Sequence, residues 1–138
     1  MESVEQSKTQ HLEDGQRGEA LALKHLEKEG WRCLSRNFTS LRGGEIDLIV
    51  EKKLQGDQFY TVAFVEVKSR HNKWETAPEL SVTAKKRQTI VRTAREYVDI
   101  HLLKDAYFRF DVIAVDLSAS PEVITHFEGA FDEDGKPY

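Results

Sequence analysis

Cysteine is nearly absent. Cys33 is the single one in 138 residues, so no internal disulfide can form, and none of the usual zinc spacings is present. Long apolar runs are missing too. No stretch approaches the roughly 18 apolar residues that a membrane span needs, and the opening MESVEQSKTQHLEDGQ lacks the apolar segment of a signal peptide. A reducing cytoplasm, with no membrane partner, is the expected compartment. Neither sign of charge dominates: 20 Lys plus Arg stand against 24 Asp plus Glu, a formal net charge of −4. That sum argues against indiscriminate coating of DNA, but it says nothing about where the charges sit. What is present is a domain-sized chain, 39% hydrophobic and 32% charged, whose apolar residues fall in patterned runs. The patterning excludes a long structureless chain.

Residues 1–12 carry few apolar side chains and no period, which predicts a flexible tail ahead of a single domain over 13–131 and a polar C-terminal tail over 132–138. Asp14 to Glu29 reads as a helix with Ala22, Leu23 and Leu26 on one stripe, Asp14 as cap and Gly30 just past the end. Strand-like runs follow at Trp31–Phe38, Glu45–Glu51 and Phe59–Lys68. After a polar loop, Thr83 caps a helix reaching about Leu103, with Ile90, Val91, Ala94, Val98 and Leu102 as its buried stripe. Two more strands are expected near Tyr107–Leu117 and Glu122–Phe127. Short connections make the first three strands an antiparallel meander, and the second helix is a crossover that places the next strand parallel. The expectation is an α/β domain of order αβββαβ plus a last strand, its mixed sheet flanked by helices.

Chemistry concentrates in GGEIDLIVE (Gly43–Glu51) and FVEVKSR (Phe64–Arg70). A two-residue turn at Gly56-Asp57, with glycine first, would set Ile46 against Val67, Leu48 against Val65 and Val50 against Ala63 on one side of a hairpin. Asp47 then faces Glu66, and Glu45 faces Lys68, on the other side. Two opposed carboxylates repel by about 4 kcal/mol at ~4 Å in a partly screened site. A shifted pKa, a nearby cation or a bound metal has to compensate. Asp47, Glu66 and the carbonyl of Val67 are hard oxygen donors suited to Mg²⁺ or Mn²⁺. Lys68, on the same face, is placed to orient a water or to offset charge on a phosphate. An exposed ladder of charges is the alternative reading of this face.

Glu19 lies on the core-facing stripe of the first helix, at helical spacing from Ala22, Leu23 and Leu26, and is a third candidate acid. Gly15 and Gly18 before it leave room for a close approach. Arg109 and Asp111 share a strand face, as a structural ion pair or as support for the site, with the ion pair the favoured reading. The five histidines show no ligand-like spacing.

Gly15-x-x-Gly18-Glu19-x-x-Ala22, Arg36-Asn37, Gly44-Glu45-Ile46-Asp47-Leu48-Ile49, Phe64-Val65-Glu66-Val67-Lys68-x-Arg70 and Arg109-Phe110-Asp111-Val112 together resemble the YraN family of small bacterial proteins. The resemblance runs from about Gly15 to Phe131. It implies a restriction-endonuclease-like fold similar to archaeal Holliday-junction resolvases, and the PD-(D/E)-x-K nuclease pattern. Asp47 takes the aspartate position, Glu66 and Lys68 the E-x-K positions, and Glu19 the helical acid; Ile46 replaces the proline of the literal motif. Resolvase-like relatives imply a homodimer, although no exposed apolar seam demands one.

A phosphodiester substrate needs cations outside the acids. Arg70, Lys73 and Trp74 stand where the E-x-K strand exits, and Lys86 and Arg92 lie on the second helix. The leading expectation is a Mg²⁺- or Mn²⁺-dependent endonuclease acting on branched or structured DNA. The competing one is a catalytically silent nucleic-acid-binding or protein-interaction module, against which the full set of acid and lysine positions counts.

Overall fold

The computed structural model describes residues 4–71, 77–78 and 81–138. Its elements run α1 (Val4–Lys28), β1 (Arg32–Thr39), β2 (Glu45–Lys52), β3 (Tyr60–Arg70), α2 (Ala84–Ile100), β4 (Ala106–Asp116) and β5 (Val123–Phe131). The sheet order is β1-β2-β3-β4-β5, antiparallel throughout except for parallel β3 and β4, which α2 connects. The α/β architecture is that of a restriction-endonuclease-like core: a mixed five-stranded sheet with two helices.

Each face of the sheet is covered by one helix. Ala22 and Leu26 of α1 pack with Leu48, Val50, Ala63, Val65, Ile113 and Val115. On the opposite face Ile90, Val91, Ala94 and Tyr97 of α2 pack with Ile49, Val62, Phe64, Phe110 and Val112. This double burial explains why Val62 to Val65 is a continuous apolar run, since the central strand has no wet face. Thr83 caps α2 as expected, its hydroxyl accepting the Lys86 N–H at 3.2 Å. The helix stops at Ile100, so Leu102 lies beyond it, exposed and at φ 50°, and Tyr97 takes the buried place assigned to it.

The hairpin register is the expected one, with Leu48 opposite Val65 and Val50 opposite Ala63. Its connection is not. The Asp57 N–H donates to the Leu54 carbonyl, so Gly56 (φ 85°) is the third residue of the turn, where a positive φ favours glycine. Ile46 also departs from expectation: it packs with the α2-side core, because the start of β2 leans on that helix. A Cβ on Gly44 would come within 2.0 Å of Thr93 Oγ1, which shows how close that approach is.

Both ends of the chain are more ordered into elements than their composition suggests. From Val4 the expected tail is the start of α1, whose exposed turns include a Gln10 to Asp14 side-chain hydrogen bond of 2.9 Å. Residues 132–138 turn back on themselves: Asp132 Oδ1 accepts the Asp134 and Lys136 N–H groups, and Arg87 of α2 donates to the Gly135 carbonyl at 2.7 Å. No helix among the described residues is long and apolar enough to cross a membrane.

Candidate active site at the ends of β2 and β3

The β2–β3 ladder ends at Leu48 and Val65. One residue further, a side chain takes over the role of the backbone: Asp47 Oδ2 accepts the Val67 N–H at 2.8 Å. The same register brings the other side of Asp47 to Glu66, and the two carboxyls share a hydrogen bond. Such a bond needs a proton between them. Burial, then the charge of Asp47, pushes the Glu66 carboxyl up to about 8. Burial raises Asp47 as well, against the opposing pull of the Val67 N–H and of Lys86 and Lys68.

Cations flank the pair on two elements. Lys68 follows Glu66 on β3, half-buried, and its charge acts on both acids. Lys86, in the first turns of α2, brings Nζ to 3.8 Å from Glu66 Oε1, where the Glu66 side chain is only 8% exposed. Lys86 therefore stands at the acids themselves rather than at an outer rim.

Glu19 approaches from α1. Burial raises its pKa, with the Asp47 charge adding and a hydrogen bond from Asn37 opposing. The Asn37 amide, oriented by the two acids, donates to Glu45 Oε1 at 3.0 Å and to Glu19 Oε2 at 3.2 Å. Asn37 can do so because β1 takes a left-handed residue there (φ 53°), a conformation asparagine tolerates. Glu45 accordingly sits with Asn37 and Glu19 and forms no ladder pair with Lys68. Gly18 provides the close approach expected of it, since a Cβ would lie 2.0 Å from Ser69 Oγ; Gly15 faces open space.

The expected ligand set is thus partly assembled. Asp47 and Glu66 are in contact and Glu19 is near, but among the described residues no three carboxylate, imidazole or thiolate groups converge on one point. The donors present still fit a hard divalent cation: one buried and one half-buried carboxyl whose pKa values are raised, and a third acid near them. Val67 contributes its N–H to Asp47.

Of the outer residues, Arg70 ends β3, is exposed and donates to the Ser69 carbonyl at 3.1 Å, while Arg92 is exposed on α2. Lys73 and Trp74 lie outside the described residues. Asp111 is 0% exposed and takes both branches of Arg109 at 2.9 Å, His126 Nε2 at 2.7 Å and the Gly129 N–H at 3.0 Å. Its face of the sheet is the α1 side, where Arg109 also lies over the Trp31 ring, so it is the ion pair the favoured reading expected. Sequence reasoning missed two contacts here, the Asn37 bridge and the burial of His126 against Asp111. The adjacent Arg36-Asn37 signal marked the first without giving it a role, and nothing local marks the second.

The family model of the uncharacterised protein family UPF0102 matches residues 18–115, from the glycine before Glu19 to the end of β4. A UPF0102 protein of Trichlorobacter lovleyi is 44% identical over 119 residues, covering 86% of this chain and 89% of its own. Others, from Myxococcus xanthus and Anaeromyxobacter dehalogenans, are 38% and 37% identical over 87% and 89% of this chain and 90% and 87% of theirs. The chain belongs to the UPF0102, or YraN, family.

Proposed function

We propose that this protein is a metal-dependent nuclease that hydrolyses DNA phosphodiester bonds, with branched or structured DNA as substrate. One observation carries the reading: Asp47 and Glu66 are held in mutual contact at the open end of a ladder, Glu66 buried and Asp47 half-buried, with Lys68 and Lys86 beside them. Crowding a half-buried acid against a buried one costs stability, which a merely structural strand end has no reason to bear. Asp47 and Glu66, with Glu19 and the Val67 carbonyl, would hold Mg²⁺ or Mn²⁺. When bound, such an ion polarises a phosphoryl oxygen and lowers the pKa of its water.

The chain's own groups do the rest. Val67 N–H and Asn37 keep the acids aimed; Lys68 orients the attacking water or faces the negative charge that develops on the phosphate. Lys86 balances the acids and turns to the phosphate when a cation takes that duty. Arg70 and Arg92, with Lys73 and Trp74, hold the nucleic acid. A cleavage panel of duplex, single-stranded, flapped and four-way-junction DNA with Mn²⁺ tests the reading. Cleavage is expected to vanish in Asp47→Ala and Lys68→Ala; cleavage that survives Asp47→Ala overturns it.

The separation of Glu19 from the acid pair favours a second reading, a nucleic-acid-binding module without chemistry. DNA affinity with no heat of Mg²⁺ or Mn²⁺ binding at millimolar concentration would support that module instead.

A further inference from the structure

The turn between β1 and β2 leads straight into Asp47 and is braced from all sides. Ser40 N–H donates to the Gly44 carbonyl at 2.6 Å and Gly43 N–H to the Ser40 carbonyl at 3.0 Å. Glu96 of α2 accepts the Ser40 hydroxyl and, at 3.3 Å, the Leu41 N–H. Ser40 Oγ in turn accepts the Arg42 N–H at 3.0 Å. The product of this bracing is a leucine side chain pointed at solvent: Leu41 is 98% exposed. Leaving a leucine in water forgoes about 2 kcal/mol of burial, and a mobile turn would at least let it fold down.

Leu41 stands at the mouth of a cleft of about 370 Å³ between the turn and α2, lined also by Arg42, Arg92, Arg95, Glu96 and Asp99. Glu96 is occupied by the turn, and the Ser40 hydroxyl holds its carboxyl below the usual range. The cleft then carries three guanidinium groups against two carboxylates, Glu96 and Asp99. Arg92 is six residues along α2 from Lys86, or about 9 Å along the helix axis. That is the axial length of two to three base pairs.

We infer that the turn and its cleft are a DNA-distorting subsite: Arg42 and Arg92 take phosphates, that on Arg92 about two to three pairs from the one Lys86 faces, and Leu41 wedges against or between the bases beside them. Apolar wedges flanked by basic side chains unstack base steps in this way. The inference rests on the nuclease reading and names the feature of its substrate, a duplex that is already branched or easily unstacked, for which the cost of unstacking is lowest.

The test is a titration of the full-length protein in EDTA, where the proposed chemistry is silent, against four-way junctions and duplexes carrying 2-aminopurine near the branch. Binding is expected to raise 2-aminopurine emission several-fold. Leu41→Ser should remove that rise while affinity falls less than about threefold and its salt dependence stays unchanged. Arg42→Gln and Arg92→Gln should each reduce the slope of log affinity on log salt by about one. No binding by the wild type, an emission rise retained by Leu41→Ser, or unchanged salt slopes would each overturn the subsite. The metal-supplemented cleavage panel still judges the nuclease reading separately, and an exposed leucine without effect on DNA would point to a protein partner instead.

Discussion

At the level of single residues, the acid pair sets function against stability. Asp47→Asn keeps an acceptor for the Val67 N–H and gives Glu66 a donor, while removing one of two carboxylates that resist ionising together. The variant is expected to lose cleavage and to gain about 1 kcal/mol, a rise in melting temperature of about 4 °C in metal-free buffer. The pH dependence has a definite sign. Glu66 titrates at about 8 in the fold against 4.5 as an ordinary glutamate, so the native state retains a proton that the unfolded chain gives up. Its contribution to stability is complete below 4.5 and is lost as pH rises through about 8. Denaturant midpoints in EDTA should therefore fall between pH 5 and pH 9 in the wild type and less steeply in Asp47→Asn. Equal slopes would contradict the coupling.

Among elements, the contact of α1 with β3 decides whether Glu19 reaches the site. Gly18 lies against Ser69, and a methyl there would meet both the hydroxyl and, at 2.8 Å, the Cβ. Gly18→Ala should destabilise by about 1–3 kcal/mol and reduce cleavage through displacement of Glu19, and Ser69→Gly should restore part of both. A full loss of activity with unchanged stability would point to some other role for the glycine. The β4–β5 pair depends on Asp111 in the same concrete way. With Arg109, His126 and the Gly129 N–H all directed at one buried carboxylate, Asp111→Ala strips three donors of their acceptor and leaves half-buried Arg109 with only the exposed Glu128 at 3.9 Å. Chemical denaturation should register a loss of about 3–5 kcal/mol. The loss arises in the packing between strands and Trp31, not at the acid pair.

On the scale of the whole molecule, a net charge of −4 coexists with a reading that requires polyanion binding. Placement resolves this. Glu19, Glu45, Asp47 and Glu66 gather at one end of the sheet, where a divalent cation would offset them. Arginines line the cleft along α2. Mg²⁺ at ~100 times its dissociation constant should stabilise the native protein by about 2.7 kcal/mol. A thermal-shift titration at pH 8 should show that rise in the wild type and not in Asp47→Asn.

Amphipathic spacing and the alternation of acids with aliphatic residues were enough to read the element order, the hairpin register and the opposition of Asp47 to Glu66 from the sequence, although the turn type was not. Those features depend on neighbours a few residues apart, or on a register that one shifted residue would destroy. The lean of Ile46 and Gly44 onto α2, the Asn37 bridge between two acids, the approach of Lys86 to Glu66 and the burial of His126 on Asp111 were decided only in three dimensions. Each joins residues on different elements, and the distance between them is set by how helices and strands pack around two cores rather than by any local period. The first turns of α1 show the opposite limit, since a polar exposed helix leaves no apolar stripe by which to recognise it.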